Sequence, residues 1–405
     1  MTDRRFTIHA GDCRDVLRGY PDATFDSVVS DPPYGLTFMG KGWDRGVPGE
    51  EFWREALRVA KPGAHLLAFG GTRTFHRLAV AIEDAGWEVR DCVMWVYGSG
   101  FPKSLNLDGD WHGWGTALKP AWEPVIVARK PLDGTVAANV LRHGTGALNI
   151  DGCRVSWQSD ADKAAGRPAS FSKAHEGFEG KAFNIADRSH RDPVAEQSAV
   201  GRWPANLLHD GSDEVLAGFP EGSFNPAGVF ATGQNAGAMG GRGFGSDGNA
   251  QRDVFGYGDS GSAARFFYCA KASRTDREEG CDHLPARSGA DAVERDEGTA
   301  GLQSPRAGAG RTADTVRNFH PTVKPTDLMR YLCRLVTQPN GLVLDPFCGS
   351  GSTGKGALLE GFRFVGIDLD PAHVAIAEAR CQFAVDTVEE QAAAAEAPGA
   401  QLSLF

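Results

Sequence analysis

The sequence lacks the features that mark membrane, secreted or zinc-stabilised proteins. No apolar run in its 405 residues approaches the about 20 residues that span a bilayer, and the N-terminus has no hydrophobic segment typical of a signal peptide. The eight cysteines are scattered singly, without a Cys-x-x-Cys pair or a Cys/His cluster at zinc spacing. These absences predict a cytoplasmic protein in a reducing compartment, with no structural metal.

The sequence is also short of positive charge. Its 42 Lys and Arg face 52 Asp and Glu, which gives a net charge of −10. Phosphate binding depends on Lys and Arg, so this balance argues weakly against a protein that coats nucleic acid, but it permits a local basic cleft. A hydrophobic content of 41% and a charged content of 23% are typical of a globular protein. The length suffices for one large domain or two smaller ones.

One short stretch stands out, the Ser-Asp-Pro-Pro-Tyr of residues 30–34, which ends the apolar run of residues 25–29. Two consecutive prolines fix φ and lack amide hydrogens, so the chain after Asp31 is a stiff turn with unpaired carbonyls. An acid, a carbonyl and an aromatic ring are thus displayed together where a strand stops. This suits a flat ligand carrying an amino group, although a strand simply terminated by Pro-Pro is a common alternative.

Strand and helix patterns alternate through the first 130 residues. Strands are predicted at residues 6–10, 25–31, 65–69, 87–95 and 123–128, and helices at 13–19, 51–59 and 74–85, with Lys61-Pro62-Gly63 as a helix stop. Alternating units of this kind predict an α/β fold with a parallel, doubly wound sheet. The turn at Asp31 then lies at the carboxyl edge of the sheet, where such folds bind their ligands.

The rest of the chain divides by composition. The alternation fails over residues 131–317, which we interpret as an insert, with glycine-rich or polar stretches at 225–264 and 287–311 predicted to be disordered. Order returns over residues 318–385, with a helix beginning near Pro325 and a last helix from Pro371 to about Phe383. Residues 386–405 are predicted to form a flexible tail.

A second motif lies in this last ordered part, in residues 345–352 (DPFCGSGS). A strand end, a glycine turn and a helix start follow one another there, and the next strand ends in Asp368. Glycines let backbone amides approach a ligand, and an acid at that distance suits ribose hydroxyls. The pattern predicts a site for an adenosine-like cofactor. A P-loop fits less well, because Gly356 follows Lys355 where Ser or Thr should bind magnesium, and the third glycine of a dehydrogenase is missing.

Taken together, the two motifs resemble those of S-adenosylmethionine-dependent amino-methyltransferases of DNA. The order, with Asp-Pro-Pro-Tyr first, a target-recognition region next and Phe-x-Gly-x-Gly last, is that of the beta class, and some segments resemble prophage-type members. The resemblance covers roughly residues 6–130 and 318–383. It implies a circularly permuted, Rossmann-like methyltransferase sheet with an inserted target-recognition region.

The resemblance also implies roles for individual residues. The catalytic set is Asp31, Pro32, Pro33 and Tyr34. The set expected to bind S-adenosylmethionine is Asp12, Lys324, Asp345, Phe347, Gly349, Gly351 and Asp368. A base within double-stranded DNA has to be flipped out to reach such a pocket, and the candidates for filling the gap or clamping the strand are Phe38, Lys41 and Trp43. In the insert, possible DNA contacts are Arg154, Lys173, Arg188, Arg191 and Arg202.

The target base is predicted to be adenine, methylated at N6. Within this family an Asp at the head of the motif is more often associated with adenine and a Ser with cytosine, so N4 of cytosine is the alternative. A non-catalytic DNA-binding or P-loop-type accessory protein is a remote alternative. The C-terminal residues Gln401, Leu402, Leu404 and Phe405 resemble the short peptide that docks on the bacterial DNA polymerase sliding clamp, and a tail that folds back on the domain is the competing interpretation.

Overall fold

The computed structural model describes residues 4–36, 46–100, 104–165, 201–224, 259–270, 275–287 and 316–396. Two compact units are present. The larger one comprises Met1–Cys153, Ala205–Val215 and Tyr268–Phe405, and the smaller one comprises Arg154–Pro204 and Leu216–Phe267. The smaller unit covers fewer residues than the insert predicted at residues 131–317, and two short segments within that range, residues 207–209 and 268–269, form strands of the larger unit's sheet.

Nine strands of the larger unit form one sheet, in the order β1-β11-β10-β2-β3-β5-β4-β6-β9. Their bounds are β1 Phe6–Ala10, β2 Phe25–Ser30, β3 Ala60–Phe69, β4 Glu88–Val96, β5 Trp122–Arg129, β6 Leu207–His209, β9 Tyr268–Cys269, β10 Leu342–Asp345 and β11 Arg363–Asp368. The C-terminal strands β10 and β11 lie between β1 and β2. This interleaving agrees with the permuted order of the two motifs.

The sheet is mixed, which corrects the prediction of a wholly parallel one. The strands from β1 through β11, β10 and β2 to β3 pair in parallel, but β5 runs antiparallel to both of its neighbours, β3 and β4. The reason is the connection from β4 to β5, residues 97–121, which contains no α-helix among its described residues and returns the chain from the edge that β4 reached. A direct return of this kind makes the two strands antiparallel.

Helices cover both faces of the sheet. In the larger unit they are α1 Cys13–Arg18, α2 Glu50–Val59, α3 Phe75–Asp84, α4 Val136–His143, α7 Thr326–Val336, α8 Ser352–Leu359 and α9 Pro371–Glu396, and α6 Asp213–Gly218 runs from the larger unit into the smaller one. One apolar layer joins α1–α3 to the sheet, and a second joins α7–α9 to it. All six residues of β2 are buried because the sheet is covered on both sides.

Two element boundaries differ from the sequence prediction. Helix α2 does stop at Val59, but the Lys61-Pro62-Gly63 stretch lies inside β3, where the register with β2 shifts and Gly63 takes a φ of +75°. Helix α9 does not end near Phe383 but continues to Glu396. Alanine and glutamate, which dominate this extension, are strong helix formers, so part of the predicted tail is helical.

The smaller unit contains the antiparallel pair β7 Glu221–Phe224 and β8 Asp259–Ser262, together with α5 Asp160–Ala165. A buried charge cluster holds it together. Arg202 and Arg265 both donate to the carboxylate of Asp162, which holds the pKa of Asp162 at about 2 chiefly through the hydrogen bond from Arg202. Arg202 was a candidate DNA contact, but its guanidinium is engaged within this unit.

None of the helices in the described part of the chain combines the length and apolar character needed to cross a membrane.

Candidate active site

The two predicted motifs lie at the ends of adjacent parallel strands. Strand β2 ends at Ser30 and β10 ends at Asp345, and the two strands pair in parallel with Leu344 opposite Val28. The Ser30 hydroxyl donates a hydrogen bond of 2.6 Å to the Asp345 carboxylate, although the two residues are 315 positions apart. Both motif turns therefore leave the same edge of the sheet and are joined there.

The side chain of Asp345 contacts residues of both turns. Its side chain accepts hydrogen bonds from the Ser30 hydroxyl, the Thr353 hydroxyl at 2.6 Å and the Phe347 amide at 3.1 Å. The residue is only 1% exposed, and this burial raises its pKa to about 7, against the lowering effect of the hydrogen bonds. Sequence reasoning placed Asp345 at the cofactor, and the structure shows its carboxylate buried and in contact with Ser30, Thr353 and Phe347.

The predicted catalytic acid, Asp31, is held from two sides. The Tyr34 hydroxyl donates to its Oδ1 at 2.8 Å, and the Lys324 ammonium donates to its Oδ2 at 2.7 Å. Of its two proline neighbours, Pro32 is buried and Pro33 is half-buried. Lys324 was predicted to bind the cofactor, but its ammonium contacts the acid. The resemblance identified the segment that leads into α7 without identifying what its lysine touches.

Glu123 is a member of the site that sequence reasoning missed. Its carboxylate oxygen Oε2 lies 3.0 Å from the Tyr34 hydroxyl oxygen and 3.3 Å from the Lys324 ammonium. The Tyr97 hydroxyl also bonds to it, and burial together with Glu123 raises the pKa of Tyr97. Glu123 is near the start of β5, and in a wholly parallel sheet a strand start lies at the edge opposite the ligand. The antiparallel direction of β5 brings it to Asp31.

The glycine turn after β10 has the conformation that its sequence predicts. Gly349 and Gly351 have φ values of +53° and +74°, which side chains other than glycine rarely adopt. A Cβ at Gly349 would lie 2.8 Å from the His320 ring, and one at Gly351 would lie 2.8 Å from the Ala377 backbone. Helix α8 begins immediately afterwards at Ser352. The turn therefore brings backbone amides and a helix N-terminus to the edge of the sheet.

Asp368, at the end of β11, lies beside this turn. Its carboxylate accepts from the Gly349 amide at 2.8 Å, the Asp370 amide at 2.9 Å and His373 Nδ1 at 3.3 Å. Burial alone would raise the pKa of Asp368, but the bonds from His373 and the two amides lower it. The backbone carbonyl of Asp368 accepts from the Gly11 amide at 2.9 Å, so the Gly11-Asp12 turn lies at the same place.

Aromatic and charged contacts fix the remaining predicted cofactor residues. Asp12 pairs with Arg14 at 2.6 Å, and the Arg14 guanidinium lies over the ring of Phe52 at 4.4 Å. The centroid of the Phe347 ring is 5.7 Å from those of Phe52 and Trp53, which belong to α2. The phenylalanine of the second motif thus packs on the helix that follows the first motif.

Two histidines near the glycine turn were not singled out by sequence reasoning. The rings of His320 and His373 have centroids 4.6 Å apart, and His320 Nδ1 lies 2.5 Å from the Thr322 carbonyl. Burial, and then the neighbouring His373, lowers the pKa of His320 to about 4. His320 is therefore neutral near pH 7. Its Phe-His-Pro-Thr setting offers no metal-ligand spacing or other signal that would have found it.

The contacts of Lys355 exclude the P-loop interpretation. It is 1% exposed, pairs with Glu279 and lies 3.8 Å from the Asp276 carboxylate. A phosphate-binding lysine must face the ligand, whereas Lys355 is buried beneath the segment of residues 275–280.

The glycine turn is also contacted from α9. The Arg380 guanidinium donates to the Ser350 carbonyl at 2.6 Å.

Several predicted contacts lie outside the described residues. They are the DNA-facing candidates Phe38, Lys41 and Trp43, the insert candidates Lys173, Arg188 and Arg191, and the clamp-binding candidates Gln401, Leu402, Leu404 and Phe405.

Known proteins resemble this chain in parts of their length. The type II methyltransferase M.HindIII of Haemophilus influenzae is 30% identical over 115 residues, which are 25% of this chain and 37% of that protein. The DNA adenine methyltransferase YhdJ of Escherichia coli is 38% identical over 55 residues, 14% of this chain and 19% of that protein. The matched segments thus span well under half of these relatives. The solved PvuII DNA methyltransferase (cytosine-N4-specific) is 14% identical, covers 93% of this chain and 86% of its own, and has a TM-score of 0.44.

The family comparison reaches much further along the chain than the matches to M.HindIII and YhdJ. The model of the N6/N4 methyltransferase family, described as DNA methylase, matches residues 25–379. That range contains both motif turns, Glu123 and Lys324. The chain belongs to the N6/N4 DNA methylase family.

Proposed function

We propose that this protein transfers a methyl group from S-adenosylmethionine to the exocyclic N6 of adenine in double-stranded DNA. The observation that carries the proposal is the juxtaposition of the two motif turns at one sheet edge, joined by the hydrogen bond between Ser30 and Asp345. One turn presents the Asp31 carboxylate, and the other presents glycine amides at a helix start. Family membership supports methylation of an exocyclic amine of a DNA base, at N6 of adenine or N4 of cytosine.

The residues around the glycine turn fit such a cofactor. Backbone amides at the start of α8 favour a carboxylate, and Asp368 suits ribose hydroxyls. Although Asp368 already accepts three protein hydrogen bonds, a carboxylate has about four acceptor positions, so it retains capacity. We assign Gly349, Gly351, Asp368 and the Gly11-Asp12 turn to the cofactor, with Phe347 and Asp345 shaping the turn. When bound, S-adenosylmethionine supplies a methyl group on a positively charged sulfonium.

The residues of the first turn orient the exocyclic amine of the target base for methyl transfer. The lone pair of this amine is delocalised into the base, which makes the amine a weak nucleophile. Asp31 and the Pro32 carbonyl each accept one amine hydrogen, which favours tetrahedral nitrogen and orients the lone pair. The same acceptors stabilise the positive charge that develops on nitrogen during transfer. Tyr34 stacks on the base, and Pro33 stiffens the turn.

The choice of adenine depends on Asp31 at the head of the motif, the residue that the family resemblance associates with adenine. N4 of cytosine is the second candidate. We assign Phe38, Lys41 and Trp43, which follow the motif in sequence, to contacts with the opened duplex, and the insert to the choice of target site.

Replacement of Asp31 tests the reaction. We expect Asp31→Ala to lower methyl transfer to DNA at least about 100-fold, while the dissociation constant for S-adenosylmethionine changes less than about threefold. Labelled methyl transfer and calorimetry measure the two effects, and digestion of the product to nucleosides identifies the base. Asp133→Ala, which removes an exposed carboxylate paired with Arg142, is the matched control. Wild-type protein that transfers no methyl group would contradict the proposal, and N4-methylcytosine alone would contradict the choice of adenine.

We also propose that Gln401, Leu402, Leu404 and Phe405 bind the bacterial sliding clamp, as a short linear motif. Deletion of residues 401–405 should abolish clamp binding in a pull-down and leave methylation of short duplexes unchanged, because the peptide supplies attachment and no chemistry. Clamp binding that survives the deletion would refute this assignment.

A further inference from the structure

Four polar side chains form a closed ring at the first motif. The Tyr34 hydroxyl lies between Asp31 Oδ1 at 2.8 Å and Glu123 Oε2 at 3.0 Å, and the Lys324 ammonium lies between Asp31 Oδ2 at 2.7 Å and Glu123 Oε2 at 3.3 Å. Lys324 also lies 3.1 Å from the Tyr34 hydroxyl. The members come from the turn after β2, from β5 and from the segment before α7.

The ammonium group of Lys324 has a partner within this ring for each of its hydrogens. An ammonium group has three hydrogens, and its three neighbours are Asp31, Tyr34 and Glu123. It is 7% exposed on its side chain and lies 4.8 Å from the centre of the Phe69 ring. Burial opposes its charge, but the carboxylates of Asp31 and Glu123 raise its pKa. Lys324 is thus a fixed cation in contact with the proposed catalytic acid.

A cation in this place weakens Asp31 for its proposed task. The target amine needs an acceptor that stabilises positive charge, and an ammonium 2.7 Å away cancels most of the field of one carboxylate. The ring contains a second carboxylate, Glu123, so two negative groups face one positive group. The net charge of the ring is therefore −1 instead of zero.

We propose that Glu123 is a positioning residue for methyl transfer, whose negative charge balances Lys324 so that Asp31 meets the target amine as an unneutralised acceptor. This inference rests on the proposed function. It gives Glu123 an electrostatic role that acts through Lys324, without contact with the base.

A purely structural role for Glu123 predicts different behaviour. In that case Glu123 only anchors the hydroxyls of Tyr34 and Tyr97, and a glutamine accepts hydrogen bonds from them almost as well. Loss of Lys324 in addition to Glu123 would then remove a further anchor and make the site worse. If charge is decisive, removal of one positive and one negative group restores a net charge of −1 on Asp31.

The experiment compares Glu123→Gln with the double variant Glu123→Gln/Lys324→Met in single-turnover methylation, with cofactor and duplex at saturation. We expect the rate constant of Glu123→Gln to fall about 10- to 100-fold and the double variant to be at least about fivefold faster than Glu123→Gln. A double variant that is slower than Glu123→Gln, or equal to it, overturns the proposal. Glu88→Gln removes the carboxylate that pairs with Arg129 on the same strand pair and should leave the rate unchanged.

A second measurement uses the protein without cofactor or DNA. Titration of the Lys324 Nζ resonance by NMR should give a lower pKa in Glu123→Gln than in the wild type, and an unchanged pKa in Glu88→Gln. Equal values in the wild type and Glu123→Gln would overturn the balance of charge. If the titration shifts as expected but the wild type methylates no DNA, the proposed function fails while the charge balance holds. Thermal unfolding of each variant verifies that it is folded.

Discussion

At the scale of single residues, Asp345 shows how the site is held together. Its carboxylate is buried, and the donors that it accepts from among the described residues are all neutral: the hydroxyls of Ser30 and Thr353 and the Phe347 amide. Burial outweighs the lowering effect of these hydrogen bonds, and its pKa rises to about 7. The native protein therefore binds a proton at Asp345 over a pH range in which the unfolded chain has lost it.

This shift has a measurable effect on stability. Between pH 4 and pH 7 the native state binds more protons at Asp345 than the unfolded state, so its contribution to the free energy of unfolding falls as pH rises, by up to about 1.4 kcal/mol per pH unit. Asp345→Asn removes this contribution. Urea unfolding at pH 5, 6 and 7 should show the stability of Asp345→Asn relative to wild type improving as pH increases.

The comparison with wild type is necessary because other groups titrate in the same range. The pKa of His65 is lowered to about 4, mainly by burial, and its effect on stability has the opposite sign. That effect is present in both proteins and cancels in the difference. Asp110→Asn, at an exposed carboxylate, should follow the wild type at every pH. A difference between Asp345→Asn and wild type that does not depend on pH would contradict the shifted pKa.

The site residues divide by how far local sequence could predict them. Asp31, Gly349 and Asp368 each lie at or just after the end of a strand, and one rule about the carboxyl edge of a sheet predicts that they meet. Glu123 could not be found in this way, because its place depends on the direction of β5. The partner of Lys324 could not be predicted either, since its contact with Asp31 joins residues 293 positions apart.

At the scale of elements, α8 makes a buried charged contact with the segment of residues 275–280. Lys355 in α8 is buried, whereas its partner Glu279 is 34% exposed and Asp276 is 13% exposed. The pair therefore fastens residues 275–280 over the helix that follows the glycine turn. A lysine that a sequence motif associates with phosphate has a structural role here.

Loss of this contact should destabilise the protein. We expect Lys355→Met to lower the free energy of unfolding by about 2–3 kcal/mol, less than the about 3–5 kcal/mol typical of a fully buried pair, because Glu279 keeps access to solvent. Urea unfolding measures the change. Lys119→Met, at an exposed lysine, should change it by less than about 0.5 kcal/mol. An unchanged stability of Lys355→Met would show that the pair contributes nothing.

Element types were easier to predict than element limits. The strands β1, β2 and β11 follow from short apolar runs with turn signals, and the structure has them close to the predicted places. The predicted end of α9 was wrong because the helix continues beyond its apolar face, where its alanines and glutamates favour helix without burial. Strands β6 and β9, which lie within the predicted insert, are only three and two residues long, too short to give a strand pattern in the sequence.

At the scale of the whole molecule, the order of the strands explains why the two motifs are far apart in sequence and adjacent in space. Strands β10 and β11 come from the C-terminal part of the chain and lie between β1 and β2. Each pairs in parallel with its neighbours, and together they bring the glycine turn beside the turn at Asp31. The family resemblance implied a permuted sheet in which the two motifs meet, but neither the place of β10 and β11 between β1 and β2 nor the reversed direction of β5 was predicted from the sequence.

The same interleaving has a consequence for synthesis of the protein. When β1 and β2 leave the ribosome, the strands that separate them have not been made, and more than 300 residues must follow before β10 pairs with β2. Until then the buried edge of β2 (FDSVVS) has no partner on that side, and such an edge invites pairing with other chains. Contacts of this sequence separation also form slowly. An interrupted chain, whose β2 edge is still unpaired, is therefore expected to aggregate.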